Sequence, residues 1–198
     1  MKSRRRIVDG WISRADAAPT VIGRRARRRA PPAICVLLLI ACAQTVSPQP
    51  LTEYRLKAAF LYNFALFTDW PAGTGGSLNL CVYGADPFGT EIDALQDKPV
   101  GGRSLAVRRT PAGGSLADCQ IVFIAPSAIT GLPHVLDELH GQVALTVADS
   151  PDAARRGVAL NMSVEQDKVS FEANLSAARG AGLNLSSKLL HLATQVIQ

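Results

Sequence analysis

The run Cys119-Gln120-Ile121-Val122-Phe123-Ile124 limits the folds open to this chain more than any other segment. It is short and almost continuously apolar, so a strand formed from it must be covered on both faces. That condition is met inside a parallel sheet flanked by helices. Other segments repeat the pattern. Leu78 to Tyr83 is a short apolar run ending at Gly84, Leu105 to Arg108 follows the turn Pro99 to Gly102, and Val143 to Val147 ends at Asp149. Helical stretches alternate with them. One runs from an N-cap at Thr52 to about Asp69, one from Asp86-Pro87 to Leu95, and one lies around Pro133 to His140. Ser150-Pro151 suits the start of a short helix to Arg156. Val158 to Val164 and Lys168 to Ala173 then read as two strands of an antiparallel hairpin. From Leu183 onward, Leu185, Leu189, Leu192 and Val196 recur at helical spacing. The expected fold is α/β: a mostly parallel sheet flanked by helices, with a C-terminal β-hairpin and a closing helix.

Charge is distributed unevenly. Residues 1–42 hold ten of the 21 basic residues and only two of the 16 acidic ones. The remainder carries 11 basic and 14 acidic residues, a net charge of −3. A domain with that balance has no electrostatic footprint for nucleic acid. The basic run Arg24 to Arg29 precedes nine apolar residues from Ala33 to Ala41. That is too short to span a bilayer, which needs about 20 residues, but it suits an export signal. Ala41-Cys42-Ala43 fits ordinary signal cleavage, whereas Leu39-Ile40-Ala41-Cys42 fits a lipobox that would lipidate Cys42. Both readings export the domain to the periplasm, free or lipid-anchored. The expected organisation is an export signal over 1–43, a tether over 44–50 and an α/β domain over 51–198.

Cysteine usage agrees with export. Cys35 and Cys42 belong to the signal region, which leaves Cys81 and Cys119 for the domain. A pair in an oxidising compartment is a disulfide candidate, with two buried free thiols as the alternative. Closing that loop would contribute about 4 kcal/mol through chain entropy.

Motifs for chemistry are sparse. The chain has no G-x-S-x-G elbow and no G-x-x-x-x-G-K-[ST] loop. Gly73 to Ser77 is glycine-rich but follows a helix and precedes a strand, the wrong order for anion binding at a helix start. His134 and His140 are six residues apart, on different helix faces, and read as surface or capping groups. His191 sits between Leu190 and Leu192, which suits a packed histidine or a pocket wall. Asp149 and Asp152 follow a strand end, where α/β proteins often bind ligands. The same position favours carboxylates through the helix dipole. Phe60, Tyr62, Phe64, Phe67 and Trp70 at helical spacing read as core or as a dimer face. No cofactor or metal is expected, and the pattern points to a binding role rather than an enzyme.

Several stretches taken together resemble the YfiR-like family. They are Tyr54 to Phe64 leading to Asp69-Trp70-Pro71, then Leu80 to Gly84, then Cys119 to Ile124. Val169-Ser170-Phe171-Glu172-Ala173-Asn174-Leu175, Ala181-Gly182-Leu183 and Ser186 to Leu190 complete the set. The resemblance covers about residues 51–195. It implies a periplasmic α/β domain that dimerises and binds the periplasmic sensor part of an inner-membrane diguanylate cyclase. Held there, it would keep cyclic-di-GMP synthesis low until redox or envelope stress releases it. One family disulfide matches Cys81–Cys119; a second has no counterpart, because no cysteine follows Cys119. That departure argues against a redox switch. The family's partner surface places Phe171, Glu172 and Asn174 as candidate contacts. The other reading makes Phe171 core and Asn174 a helix cap. A periplasmic small-molecule sensor, with a pocket near the hairpin and last helix, is the alternative function.

Overall fold

The computed structural model describes residues 53–165 and 168–198. The expected export signal, the tether, the Thr52 cap and the lipidation candidate Cys42 lie outside the described residues. Helix α1 spans Glu53–Leu66. It buries Lys57, Ala58, Leu61, Phe64 and Ala65, one stripe at helical spacing. The helix stops three residues earlier than the apolar run suggests, because side chains take over its last carbonyls. Thr68 Oγ1 donates to the Phe64 carbonyl at 2.7 Å, and Trp70 Nε1 donates to the Ala65 carbonyl at 2.9 Å. Thr68–Asp69 is instead strand β1, paired antiparallel with β9, Asn184–Leu185.

The main sheet has eight strands in the order β10-β8-β7-β6-β5-β2-β4-β3. In chain order these are β2 (Ser77–Tyr83), β3 (Pro99–Val100), β4 (Arg103–Thr110), β5 (Ile121–Ile124), β6 (Leu145–Ala148), β7 (Leu160–Glu165), β8 (Lys168–Asn174) and β10 (Gln195–Ile197). Strands β4, β2, β5, β6 and β7 run parallel to one another. Strands β7 and β8 form the expected hairpin, in a register that places Met162 opposite Phe171. β3 pairs antiparallel with β4 at one edge, and β10 lies parallel to β8 at the other.

Strand β5 is fully buried in the middle of this order, as its sequence demands. Its residues alternate between two cores. Ile121 and Phe123 face the larger core under α1, with Leu80, Val82, Leu145 and Val147. Val122 and Ile124 face a second core with Cys81, Tyr83 and Leu132. Each large apolar side chain so enclosed contributes about 1.5–3 kcal/mol. The second core lies beneath a 3₁₀ segment, Pro126–Gly131, that leads into α2, Leu132–Glu138.

Three local expectations are corrected. The segment after Asp86-Pro87 is a 3₁₀ helix, Gly89–Leu95, rather than an α-helix from Asp86. Asp86 Oδ1 accepts from the Phe88 N–H at 2.7 Å and Gly89 takes φ +57°, so a turn comes first. Ser150 to Arg156 is a run of turns, with Asp152 at φ +58°. The C-terminal leucines do not lie on one helix. α3 (Leu175–Gly180) precedes β9, and Gly182 takes the left-handed turn between them at φ +71°. The closing helix α4 is one turn, Ser187–Leu190, capped by Ser186. Thr194 then docks on the Phe171 carbonyl, at 2.8 Å from its N–H and 3.0 Å from Oγ1, and the chain continues as β10. Leu185 and Leu189 are buried, but Leu192 is 70% exposed. Among the described residues no helix is long and apolar enough to cross a membrane.

Candidate functional site

In an open α/β sheet, ligands favour the crevice where the strand order reverses. Here the chain leaves β2 toward β4 and leaves β5 toward β6, so that crevice lies between β2 and β5. It is filled by the protein's own atoms. The Ala85 N–H donates to Ser127 Oγ at 2.9 Å. Gly84 sits at φ +105°, and a Cβ there would lie 2.8 Å from Ser127 Oγ and 3.0 Å from the Ala128 Cβ. Phe88 closes the same end, edge-on to Phe123 at 4.7 Å between ring centroids. A phosphate or nucleotide has no seat at this point.

Next along the sheet edge, Asp149 follows β6. Its side chain is 1% exposed and that of Lys57 is 5% exposed. Lys57 Nζ donates to Asp149 Oδ2 at 2.7 Å, and the Tyr54 hydroxyl donates to the same oxygen at 3.2 Å. Glu53 is a second ion-pair partner of Lys57. The ammonium also lies 4.6 Å from the Tyr54 ring centroid. Asp149 Oδ1 is buried and has no hydrogen-bond partner among the described residues. Asp149 is therefore the counter-ion of a helix lysine, not a helix-start group, whereas Asp152 stays exposed. The signal for Lys57 was available: a lysine at a position of α1 whose stripe neighbours are Ala58, Leu61 and Phe64 needs a buried anion.

Burial works against the Lys57 charge, but hydrogen bonds to Asp149 and Glu53 outweigh it and hold the ammonium above its ordinary value of 10.5. Burial, then the Asp149 charge, likewise raises the Tyr54 hydroxyl above 10.0. For both groups the folded value exceeds the unfolded one. Their stabilisation is therefore complete below about pH 10 and is lost as pH rises through the folded values. The wild-type urea midpoint should fall more steeply above pH 10.5 than that of Lys57→Met. Parallel curves would refute the ion pair.

The three candidate contacts on β8 separate. Phe171 is 2% exposed, packed edge-on to Phe64 at 5.0 Å and to Phe60 at 6.1 Å. Asn174 is 7% exposed and caps α3: its side chain accepts from the Ala177 N–H at 2.9 Å and donates to the Ala154 carbonyl at 2.7 Å. The Asn174 side chain is thus taken up by the cap, and Phe171 reaches the surface only as part of the floor of an apolar cleft. Glu172 keeps solvent access on the opposite face of the strand, where Asn161 Nδ2 donates to it at 3.4 Å.

An apolar surface lies above Phe171, built partly from the helical aromatics that the sequence offered as core or a dimer face. Phe60, Phe64, Phe67, Leu189 and Leu192, with Asn63 at the rim, line an apolar cleft of about 200 Å³. Leu192 projects beside it, and Leu66 on α1 is 41% exposed. The helical aromatics are thus partly core and partly the wall of this cleft. His134, His140 and His191 are all exposed, so His191 is not packed. Among the described residues no group of three His, Cys, Asp or Glu could hold a metal ion.

Cys81 and Cys119 form a disulfide between the adjacent strand β2 and the residues entering β5, with Cα atoms 5.8 Å apart. Both half-cystines lie in the second core.

No curated protein matches the chain. Among solved structures, an ABC domain in complex with L-Trp from Streptococcus pneumonia is 11% identical with a TM-score of 0.45, covering 61% of this chain and 55% of its own. A conserved domain protein from Vibrio cholerae is 8% identical with a TM-score of 0.51, covering 73% of this chain and 60% of its own. The chain thus spans little more than half the length of each, and the second likeness is one of fold alone. The family model described as YfiR/HmsC-like matches residues 54–194, from the first turn of α1 to the residue before β10. With that span inside one continuous α/β sheet, the chain belongs to the YfiR/HmsC-like family.

Proposed function

We propose that this chain is an exported regulatory domain that binds the periplasmic sensor part of an inner-membrane diguanylate cyclase and lowers cyclic-di-GMP output. Family membership over residues 54–194 carries the reading. The apolar cleft and the projecting Leu192 supply a surface of the kind protein partners bury. The domain acts as a homodimer, free in the periplasm or anchored through Cys42. Membrane extracts passed over the immobilised protein should yield a cyclase, and deletion of the gene should raise cyclic-di-GMP. Leu192→Asp should weaken that capture tenfold or more, with the thermal midpoint unchanged because Leu192 is 70% exposed. Full capture by that variant would remove the cleft from the interface. Absence of any cyclase, with unchanged cyclic-di-GMP on deletion, would remove the function.

The cleft also favours a second reading, a small-molecule sensor for an apolar or aromatic metabolite. Its volume of about 200 Å³ suits one ring or a branched side chain. A flat thermal-shift response across amino acids and aromatic metabolites would dismiss it.

A further inference from the structure

The loop after β6 is held from two sides by side chains that belong to different parts of the fold. On one side Asp149 is tied to the first turn of α1, through Lys57 at 2.7 Å and Tyr54 at 3.2 Å. On the other side the same loop is tied to the hairpin. Asn161 Oδ1 accepts from the Ser150 N–H at 3.2 Å, and Asn174 Nδ2 donates to the Ala154 carbonyl at 2.7 Å. Arg155 reaches β10, its guanidinium donating to Gln195 Oε1 at 3.2 Å. One nine-residue loop, 149–157, therefore joins the start of α1 to β7, β8 and β10.

At the inner end of this connection a cost stands against several gains. Asp149 carries a buried carboxylate oxygen with no partner among the described residues, which costs free energy that water would recover if the turn opened. Against that cost stand the ion pair and the edge-on contact of Tyr54 with Phe88 at 5.2 Å. Glu53, the outer ion-pair partner, is 46% exposed and open to competition by another cation. Opposing contributions of this kind give a local opening that a contact at the start of α1 can bias.

We propose that the Tyr54–Lys57–Asp149 cluster is a releasable clasp whose opening is transmitted through loop 149–157 to the β7–β8 hairpin and β10. Its regulatory meaning rests on the partner-binding reading above, since the hairpin carries Glu172 and underlies the apolar cleft. The coupling itself is a property of the isolated chain. A pull or contact at the start of α1 would loosen the hairpin; a partner that rigidifies the hairpin would close the clasp, because the coupling is reciprocal.

Amide hydrogen exchange on the purified protein, without partner, tests the clasp. Asp149→Asn weakens the ion pair while keeping the side-chain shape. It should speed exchange tenfold or more over residues 57–61, the first amides of α1 with helical acceptors, and also over 160–162 and 171–174, leaving β4 residues 105–109 unchanged. Asn161→Ala removes one of the three far-side links, the bond to the Ser150 N–H, so in its background Asp149→Asn should add less exchange at 171–174 than it adds in the wild type. Faster exchange confined to α1 would overturn the proposal, as would equal acceleration in β4, which signals global destabilisation. Should Asp149→Asn fail to accumulate, Tyr54→Phe applies the same test more mildly, with the same segments read. Failure here leaves the cyclase capture experiment unaffected, and the converse also holds.

Discussion

Removing the Cys81–Cys119 bridge is expected to lower the unfolding free energy by about 4 kcal/mol, within a general range of about 2–5 kcal/mol for such bridges. The two cysteines are 38 residues apart, and the loop they close contains the 3₁₀ segment Gly89–Leu95, β3 and β4. In the unfolded chain that loop loses much of its freedom, and the native state gains by the difference. The Cys81→Ala/Cys119→Ala double variant is the right probe, because a single replacement would leave a buried thiol in the second core. Its urea midpoint should fall well below that of the wild type, with the m-value raised as the unfolded state expands. Dithiothreitol without denaturant should leave the wild type folded and oxidised, since Cys81 is 0% exposed and Cys119 is 3% exposed. Rapid reduction under those conditions would mean that the bridge is a switch and not a staple. A midpoint shift of less than about 1 kcal/mol would mean that the closed loop restrains little.

The bridge also shows which parts of this fold are legible in the sequence. A continuous apolar run such as Ile121 to Ile124 has one stable home, a strand covered on both faces, so β5 and its neighbours follow from local pattern alone. The hairpin follows for a related reason: Val164 and Val169 face each other in the register that its two runs imply. The C-terminus could not be read the same way. Leu185, Leu189, Leu192 and Val196 have helical spacing, yet Leu185 is claimed by β1 and Val196 by β8, both tertiary pairings. Spacing reports a local preference of a few tenths of a kcal/mol per residue, and a sheet edge overrides it. The Lys57–Asp149 pair was half legible. A lysine in an apolar stripe demands an anion, but 92 residues separate the partners, and only the fold brings them together. The candidate contacts on β8 mixed two categories for a simpler reason. In a strand, successive residues face opposite sides, so Phe171 and Glu172 cannot serve one surface.

That alternation makes Phe171→Ala and Glu172→Ala a decisive pair. Phe171→Ala should cost about 3–5 kcal/mol, the range for a large aromatic deleted from a packed core. Phe171 is 2% exposed, meets Phe64 and Phe60 edge-on, and lies opposite Met162. The edge-on pairs add about 0.5–1.5 kcal/mol beyond area burial. The main-chain carbonyl of Phe171 also accepts both bonds from Thr194, so a shift of β8 would loosen β10 as well. Glu172→Ala loses one long hydrogen bond, at 3.4 Å to Asn161, and should stay within about 1 kcal/mol of the wild type. The two variants therefore separate folding from recognition. Loss of partner capture in Phe171→Ala alone, in proportion to its loss of folded protein, would report only the core. Loss of capture in Glu172→Ala at full stability would place the partner on the hairpin face away from α1. If Glu172→Ala binds normally while Leu192→Asp does not, the interface lies on the α1 side, over the cleft that Phe171 floors. If Phe171→Ala proves as stable as the wild type, its packing against Phe60 and Phe64 is wrong, and with it the placement of α1 on the sheet.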